Sequence, residues 1–141
     1  MKRNEQGTFT VWALALCLIL FFISGISVDL WRAIDARREL NEIADTAARS
    51  GASEINVRER QLYGRVVLDD SSAESAATDS VIENAALQSV DVDSINISVD
   101  GTINVVEVEL TSTYSFFLLG MLPGASDAKI VARSSAQPFE Q

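Results

Sequence analysis

The chain has 141 residues, a formal net charge of −9 and no histidine. This length supports one domain. The acidic balance argues against a nucleic-acid-binding protein, because such a protein needs a basic face to neutralise phosphate. Mechanisms that use histidine are excluded, and the only cysteine, Cys17, lies inside an uncharged stretch over residues 8–28.

Charge divides the sequence into three parts. Residues 1–7 carry a net charge of +1, and residues 29–65 carry seven basic and seven acidic side chains. Residues 66–141 carry two basic side chains against twelve acids. An acidic distal part stays soluble and is repelled by anionic lipid headgroups.

The uncharged stretch is long enough to cross a membrane. Thr8 to Val28 comprises 21 residues, which as a helix reach roughly 32 Å against a hydrocarbon core of about 30 Å. Trp12 and Trp31 stand near its ends, where indoles favour the interface. A secretory signal has a shorter apolar core of about 7–15 residues. We therefore predict a retained, single-pass transmembrane helix over 8–28, although the Lys and Arg counts alone do not place the N-terminus inside.

The helix is predicted to continue as an extension over residues 29–56. Its first part, over 29–50, is rich in Ala, Leu, Arg and Glu, which favour helix. Opposite charges recur at helical neighbour distances in four pairs: Asp29–Arg32, Asp35–Arg38, Arg38–Glu42 and Asp45–Arg49. Apolar residues at spacings of three and four form a helix-packing stripe, which consists of Ala33, Ala36, Leu40, Ile43 and Ala47. Two interpretations stay open for this stripe, namely packing against the chain's own globular part and packing against neighbouring subunits.

A second helix is predicted from Ser72 to Gln88. Ser71 and Glu74 have the spacing of a capping box. Residues 52–68 are ambiguous between helix and connection, with a break suggested at Gly64. The apolar residues of the second helix recur with a helical period, and they are Ala73, Ala77, Val81 and Ala85.

Three strands follow the second helix. Ile95, Ile97 and Val99 alternate with polar residues, and Asp100-Gly101 predicts a two-residue hairpin turn. The apolar parity then shifts near Val105 and Val106, which suggests a β-bulge. A third strand alternates over 128–134. The sequence thus predicts an α+β fold, in which a long N-terminal helix, half transmembrane and half amphipathic, precedes a small head with a second helix and a three-stranded antiparallel sheet.

An unusual apolar run, Phe116 to Leu122, lies between the second and third strands. It leaves three alternatives open: packing under the sheet as core, contact with the membrane, or contact with a partner. We favour the core and then the partner.

Candidate chemistry is sparse. Ser126 and Lys129 have the serine-x-x-lysine spacing of some acyl-transfer enzymes, but the match opens a strand and no companion motif is present. One cysteine and no histidine cannot make a Cys/His metal cluster. We therefore predict no catalytic residues, no metal site, no cofactor and no enzymatic activity.

Residues 3–52 resemble the N-terminal region of the TadE/TadG-like Flp (Tad) pilus-assembly proteins. The resemblance covers about a third of the chain. It is carried by Gly7, Val28-Asp29-Leu30, Arg37-Arg38, Ala44-Asp45-Thr46-Ala47-Ala48 and Gly51-Ala52. The residues that match outside the apolar span are Asp29, Arg37, Arg38, Ala44, Asp45, Ala48 and Gly51.

The resemblance implies a protein of the cell membrane with its N-terminus in the cytoplasm. The implied parts are a cytoplasmic tip over 1–7, the transmembrane helix over 8–28, the extension over 29–56 and an extracytoplasmic head over 57–141. The bond between Gly7 and Thr8 is a candidate processing site. The chain departs from pseudopilins of this group at Trp12, the fifth residue from Thr8, where those proteins usually carry a glutamate. The length is that of a short TadE-like form.

The predicted function is that of a structural or assembly component, a minor pseudopilin or base protein, of a Flp/Tad-type pilus or related secretion machine. Its expected partners are the lipid bilayer and other pilus-assembly or pseudopilin membrane proteins, bound through helix packing; nucleic acid and small-molecule substrates are not expected. The alternative is a membrane-tethered extracytoplasmic binding or scaffold module unrelated to pili. A membrane-bound hydrolase is the third hypothesis.

Overall fold

A computed structural model of the chain describes residues 5–121, 124 and 126–138. Tip residues 1–4, as well as Leu122 and Pro123, lie outside the described residues. In chain order the elements are α1 (Glu5–Ala52), α2 (Val57–Tyr63), α3 (Asp70–Gln88), β1 (Ser94–Asp100), β2 (Val105–Ser115), a 3-10 turn (Leu119–Met121) and β3 (Asp127–Ala136). The strands form one sheet in the order β1-β2-β3. The predicted α+β class, with its long first helix, further helix and three-stranded antiparallel sheet, is confirmed.

The chain groups into two compact units. Unit 1 consists of Met1–Ile34 and Ser115–Ala128, and unit 2 consists of Asp35–Tyr114 and Lys129–Gln141. The sequence-based division began the head at residue 57, whereas unit 2 already begins within α1, at Asp35. The physical reason is that side chains of α1 beyond residue 39 provide part of the apolar core of unit 2.

Helix α1 ends at Ala52, four residues before the predicted end of the extension at 56. Beyond it the chain turns, and the N–H of Ser53 donates to the carbonyl of Arg49 at 3.1 Å. Ile55 then forms an isolated antiparallel bridge with Leu68. The carbonyl of Glu54 accepts from the N–H of Asp69 at 3.1 Å, and the N–H of Asn56 donates to the carbonyl of Val67 at 2.8 Å, so this stretch leaves the helix to pair with residues 67–69.

The two shorter helices have well-defined caps. Helix α2 begins after Asn56, whose side chain accepts from two backbone N–H groups, and it ends at Gly64 with φ of 66°. Helix α3 begins at Asp70, and the carboxylate of Asp69 accepts from the N–H of Ser72 at 3.1 Å. This bond lowers the pKa of Asp69. The capping box predicted at Ser71 is therefore wrong, because the cap lies two residues earlier.

Strands β1 and β2 pair in an uninterrupted antiparallel register, from Ser94 opposite Thr111 to Asp100 opposite Val105. The predicted two-residue turn and the predicted bulge are therefore both wrong. Residues 101–104 form a four-residue loop, and the left-handed position falls on Asn104, with φ of 52°, rather than on Gly101. Ile103 lies in this loop and not in the strand, which explains the apparent shift in apolar parity.

The core of unit 2 lies between α1, α3 and the sheet. Its fully buried side chains come from all three, and the largest are Leu40, Ile43, Val81, Val106, Val108 and Leu110. Three of the four predicted apolar positions of α3 are fully buried, and Ala85 packs against the core. The predicted alternation of β3 is also observed, with Ala132 buried between exposed neighbours. Helical and strand periodicities therefore identified the inward faces correctly.

Asn104 should be important for the stability of unit 2. Its side chain donates to the carbonyl of Val66 at 2.9 Å and accepts from the N–H of Leu68 at 3.2 Å. We expect Asn104→Ala to lower the free energy of unfolding by about 2–4 kcal/mol, because it removes both bonds and places alanine in the left-handed region. Asn104→Gly removes the bonds without the backbone strain, and should cost about 1–2 kcal/mol. Denaturant titration of the full-length chain in detergent tests this order; equal losses would contradict it.

Candidate functional site

The predicted packing stripe of α1 is divided between the two units. Leu40, Ile43 and Ala47 are fully buried in the core of unit 2. Ala36 is partly buried in unit 2, and Ala33 is partly buried in unit 1. The distal half of the stripe thus packs against the chain's own globular part, which was the first of the two interpretations.

The small residues of the resemblance form the surface on which α3 and β2 pack. Ala44 and Ala48 are fully buried, and Gly51 is buried beside them. A Cβ added at Gly51 would lie 2.9 Å from the carbonyl oxygen of Ala73 and 3.1 Å from Cγ1 of Val106. Side chains larger than these would therefore separate α1 from its neighbours, which is the physical reason for small residues here.

The charged positions of the resemblance have different environments. Asp45 forms an ion pair with Arg49 at 2.6 Å, one of the four predicted pairs, and accepts from the hydroxyl of Ser134 on β3 at 3.1 Å. Arg37 and Arg38 are exposed. The structure therefore assigns Asp45 a contact within unit 2 and leaves both arginines available at the surface.

Asp29 is the centre of a compact site in unit 1. Its side chain is only 2% exposed. The carboxylate accepts from three consecutive backbone N–H groups: those of Phe117 at 3.3 Å, Leu118 at 2.7 Å and Leu119 at 2.9 Å. The bond from Leu119, followed by those from the two preceding residues, holds the pKa of Asp29 below its ordinary value. Asp29 therefore attaches the segment after β2 to α1.

The contact continues one turn earlier on the helix, at Gly25. A Cβ added there would collide with Cδ1 of Leu118 and lie 3.2 Å from its Cγ. Glycine thus allows the side chain of Leu118 to lie directly on the helix. Together, Gly25 and Asp29 hold the described part of the apolar run, Phe116–Met121, which we call the apolar loop.

The apolar loop is not part of the hydrophobic core. None of its six residues is buried, and its two most exposed side chains are Phe117 and Met121, each 71% exposed. The favoured core alternative is therefore wrong. The physical reason is that, within unit 1, the loop packs on the uncharged part of α1, where Leu118 lies against Gly25.

The apolar part of α1 is long and apolar enough to cross a membrane. Its most apolar window is long enough to cross a bilayer, and none of that window is buried in the fold. Large exposed side chains surround it, including Phe9, Trp12, Phe21, Phe22 and Trp31. Gly7 and Thr8 both lie within α1. Processing between them stays a prediction.

Sequence reasoning missed the role of Asp29 as an acceptor for the apolar loop. It placed Asp29 in a helical ion pair with Arg32, and Arg32 does contribute to the lowered pKa. Two signals pointed to the contact, an acidic residue directly after the apolar span and an uncharged apolar run between two strands. Nothing in the sequence indicated that these two features, about ninety residues apart, contact each other.

The serine and lysine of the discounted acyl-transfer motif have ordinary environments. The hydroxyl of Ser126 donates to the carboxylate of its neighbour Asp127 at 3.1 Å. Lys129 is exposed on β3. These positions give no independent support to a hydrolase.

A comparison with known protein families matches the segment of α1 that makes these contacts. Residues 7–54 match the model of the Tad family, described as "Putative Flp pilus-assembly TadE/G-like". No curated protein and no solved structure shows a significant match to the chain. The matched segment covers the apolar span, Asp29, and the small residues on which α3 and β2 pack. The resemblance predicted from residues 3–52 is thereby confirmed: residues 7–54 match the TadE/G-like Flp pilus-assembly family.

Proposed function

We propose that this chain is a single-pass protein of the cell membrane that acts as a structural or assembly component of a Flp/Tad-type pilus. The family match over residues 7–54 carries the proposal. In this proposal residues 8–28 span the bilayer, the N-terminus is cytoplasmic and the head is extracytoplasmic. The role is that of a TadE-like base protein or minor pseudopilin, without enzymatic activity.

The exposure of the apolar helix supports the membrane part of the proposal. Soluble monomers rarely expose contiguous apolar patches of more than a few hundred Å². Here apolar side chains are exposed from Phe9 to Ile34 along α1. A bilayer covers such a surface without any further protein, and Trp31 would then lie at the membrane interface.

The division of the packing stripe supports the assembly part. The small residues beyond position 40 are already occupied by the chain's own α3 and sheet. The apolar surface of α1 that remains for helix packing with partner subunits is its earlier part, where small residues such as Ala13 and Ala15 stand among large apolar ones. Small residues allow membrane helices to approach one another closely. We therefore place the contacts with other pilus-assembly proteins within the span.

Deletion of the gene tests this function. We expect surface pili to be lost in electron micrographs, because pili are not assembled without a required component. Expression of the full-length chain should restore them. A matched control is a chain with Asp79→Asn, an exposed α3 position away from the family segment, which should restore pili fully. Unchanged piliation in the deletion strain would contradict the proposal and favour the tethered binding or scaffold module. Recovery of the full-length chain from cytosol without detergent would contradict the membrane anchor itself.

A further inference from the structure

We propose that the apolar loop, Phe116–Met121, is a second membrane contact, which inserts into the interface of the lipid leaflet on the side of the head. This inference rests on the proposed membrane anchor and deepens it. It assigns lipid, rather than a protein partner, as the occupant of the loop surface. Four observations within unit 1 support it.

The first observation is the depth at which the loop meets the helix. Leu118 contacts α1 at Gly25, three residues before the end of the predicted span at Val28. At a rise of 1.5 Å per residue, this contact lies about 4–5 Å inside the span. Interfacial segments bury their apolar side chains to a similar depth of about 5–10 Å. A bilayer that covers residues 8–28 therefore also reaches the loop.

The second observation is the chemistry of the exposed surface. Residues 116–126 contain no charged side chain. Phe117 and Met121 are exposed on a loop that is attached to the helix rather than hanging free. Aromatic and unbranched apolar side chains suit the boundary between headgroups and acyl chains. Lipid is a more favourable environment than water for this surface, because exposing apolar area to water costs free energy in proportion to that area.

The third observation is the state of the backbone. Insertion into a bilayer requires that N–H groups have partners within the protein. Asp29 binds three of them, the N–H of Phe116 donates to the carbonyl of Ser126 at 3.0 Å, and that of Met121 donates to the carbonyl of Leu118 at 3.2 Å. Five N–H groups of the loop are thus satisfied without water. The loop therefore meets this requirement for insertion at these five positions.

The fourth observation is continuity with the span. The loop extends the exposed apolar surface of α1 on the side of Gly25 without an intervening charge, because the carboxylate of Asp29 is turned toward the loop backbone. A protein partner would have to displace lipid from this surface. The bilayer already covers the adjoining helix, so lipid requires no additional binding partner.

Lipid-quenching fluorescence tests the inference on the full-length chain. Phe117→Cys and Met121→Cys are made separately in a Cys17→Ala background, labelled with an environment-sensitive dye, and reconstituted in phosphatidylethanolamine/phosphatidylglycerol vesicles. Spin-labelled lipids with the spin near the headgroup should remove most of the emission from both positions. The matched control is Ile82→Cys, an apolar α3 residue that is 58% exposed, and its emission should be unaffected.

A label at Ile19→Cys, within the span, separates this inference from the proposed function. Lipids with a deep spin label should quench it whenever the chain is anchored. Quenching at position 19 without quenching at 117 and 121 would overturn the loop contact and leave the anchor intact. Absence of quenching at position 19 would overturn the anchor and the loop contact together. Dye at 117 that is accessible to a water-soluble quencher in vesicles, but protected in intact cells, would overturn lipid in favour of a protein partner.

Discussion

Gly51→Leu is expected to destabilise unit 2 strongly. The position has no space for a side chain, since an added Cβ would lie 2.9 Å from the backbone oxygen of Ala73 and 3.2 Å from Cβ of Ala77. Overpacking a core typically costs about 1–3 kcal/mol, and leucine adds three carbons beyond the one that already clashes. We expect a loss of at least about 3 kcal/mol, against a total stability of about 5–15 kcal/mol for a typical domain.

Gly51→Ala should give an intermediate result. Alanine gains up to about 1 kcal/mol over glycine within a helix, which offsets part of the steric cost. A net destabilisation of about 1–2 kcal/mol would lower the melting temperature by roughly 4–16 °C for a unit of this size. Thermal unfolding of the full-length protein in detergent, followed by near-UV circular dichroism, measures the series.

Gly101→Ala is the matched control for both variants at Gly51. Its added Cβ would also lie 2.9 Å from an oxygen, but this atom is Oδ1 of Asp70, at the end of a side chain that can rotate away. The expected change is within about 0.5 kcal/mol. A larger loss at Gly101 than at Gly51 would show that the contact with the backbone of α3 does not determine the stability of this region.

Asp29→Leu is expected to release the apolar loop from α1. The substitution removes the acceptor for three N–H groups and leaves them next to an apolar side chain. Hydrogen bonds to a charged acceptor are roughly twice as strong as neutral ones, so Asp29→Asn should retain about half of the docking interaction. Amide hydrogen exchange at positions 117–119 should be slow in the wild type, faster in Asp29→Asn and fastest in Asp29→Leu. Asp35→Asn, at an exposed position of the same helix, is the control.

The same contact sets a pH dependence. Because the N–H groups of Leu119, Leu118 and Phe117 hold the pKa of Asp29 below its ordinary value of 3.8 in the docked state, the carboxylate stabilises docking at every pH above 3.8. This contribution decreases as the pH falls below 3.8 and is lost once the pH passes through the docked pKa. The protection of the three amides, relative to their intrinsic exchange rates at each pH, should therefore be constant near neutral pH, where Asp29 stays ionised. Loss of protection between pH 5 and 7 would contradict the assignment of Asp29.

Periodicity predicted the secondary structure better than the connections between elements. The buried positions of α3 and β3 were predicted from spacing alone, because apolar residues of a half-buried helix or strand recur with the period of that element. The turn after β1 was mispredicted because Asp100-Gly101 fits a two-residue hairpin locally, whereas Asn104 gains two hydrogen bonds to the segment before α3 by taking the left-handed position. That gain is tertiary and leaves no local signal.

The family positions were found from sequence, but most of their roles were not. Ala44, Ala48 and Gly51 were identified only as positions of the family motif, and the structure shows which neighbours require them to be small. Asp29 was recognised as an exit residue of the span. Its partners are main-chain N–H groups, which every residue type except proline carries, so the sequence contains no signature of them.

The distribution of the core has a consequence for biosynthesis and turnover. Six of the buried core residues of unit 2 lie on α1 between Leu40 and Ala52. A protease that cuts in the turn after Ala52 would release a fragment without the helix on which α3 and the sheet pack, so the fragment would not stay folded. During synthesis, α1 leaves the ribosome before β2 has been made. The apolar part of α1 is therefore complete before the strands that cover the distal part of the same helix have been made.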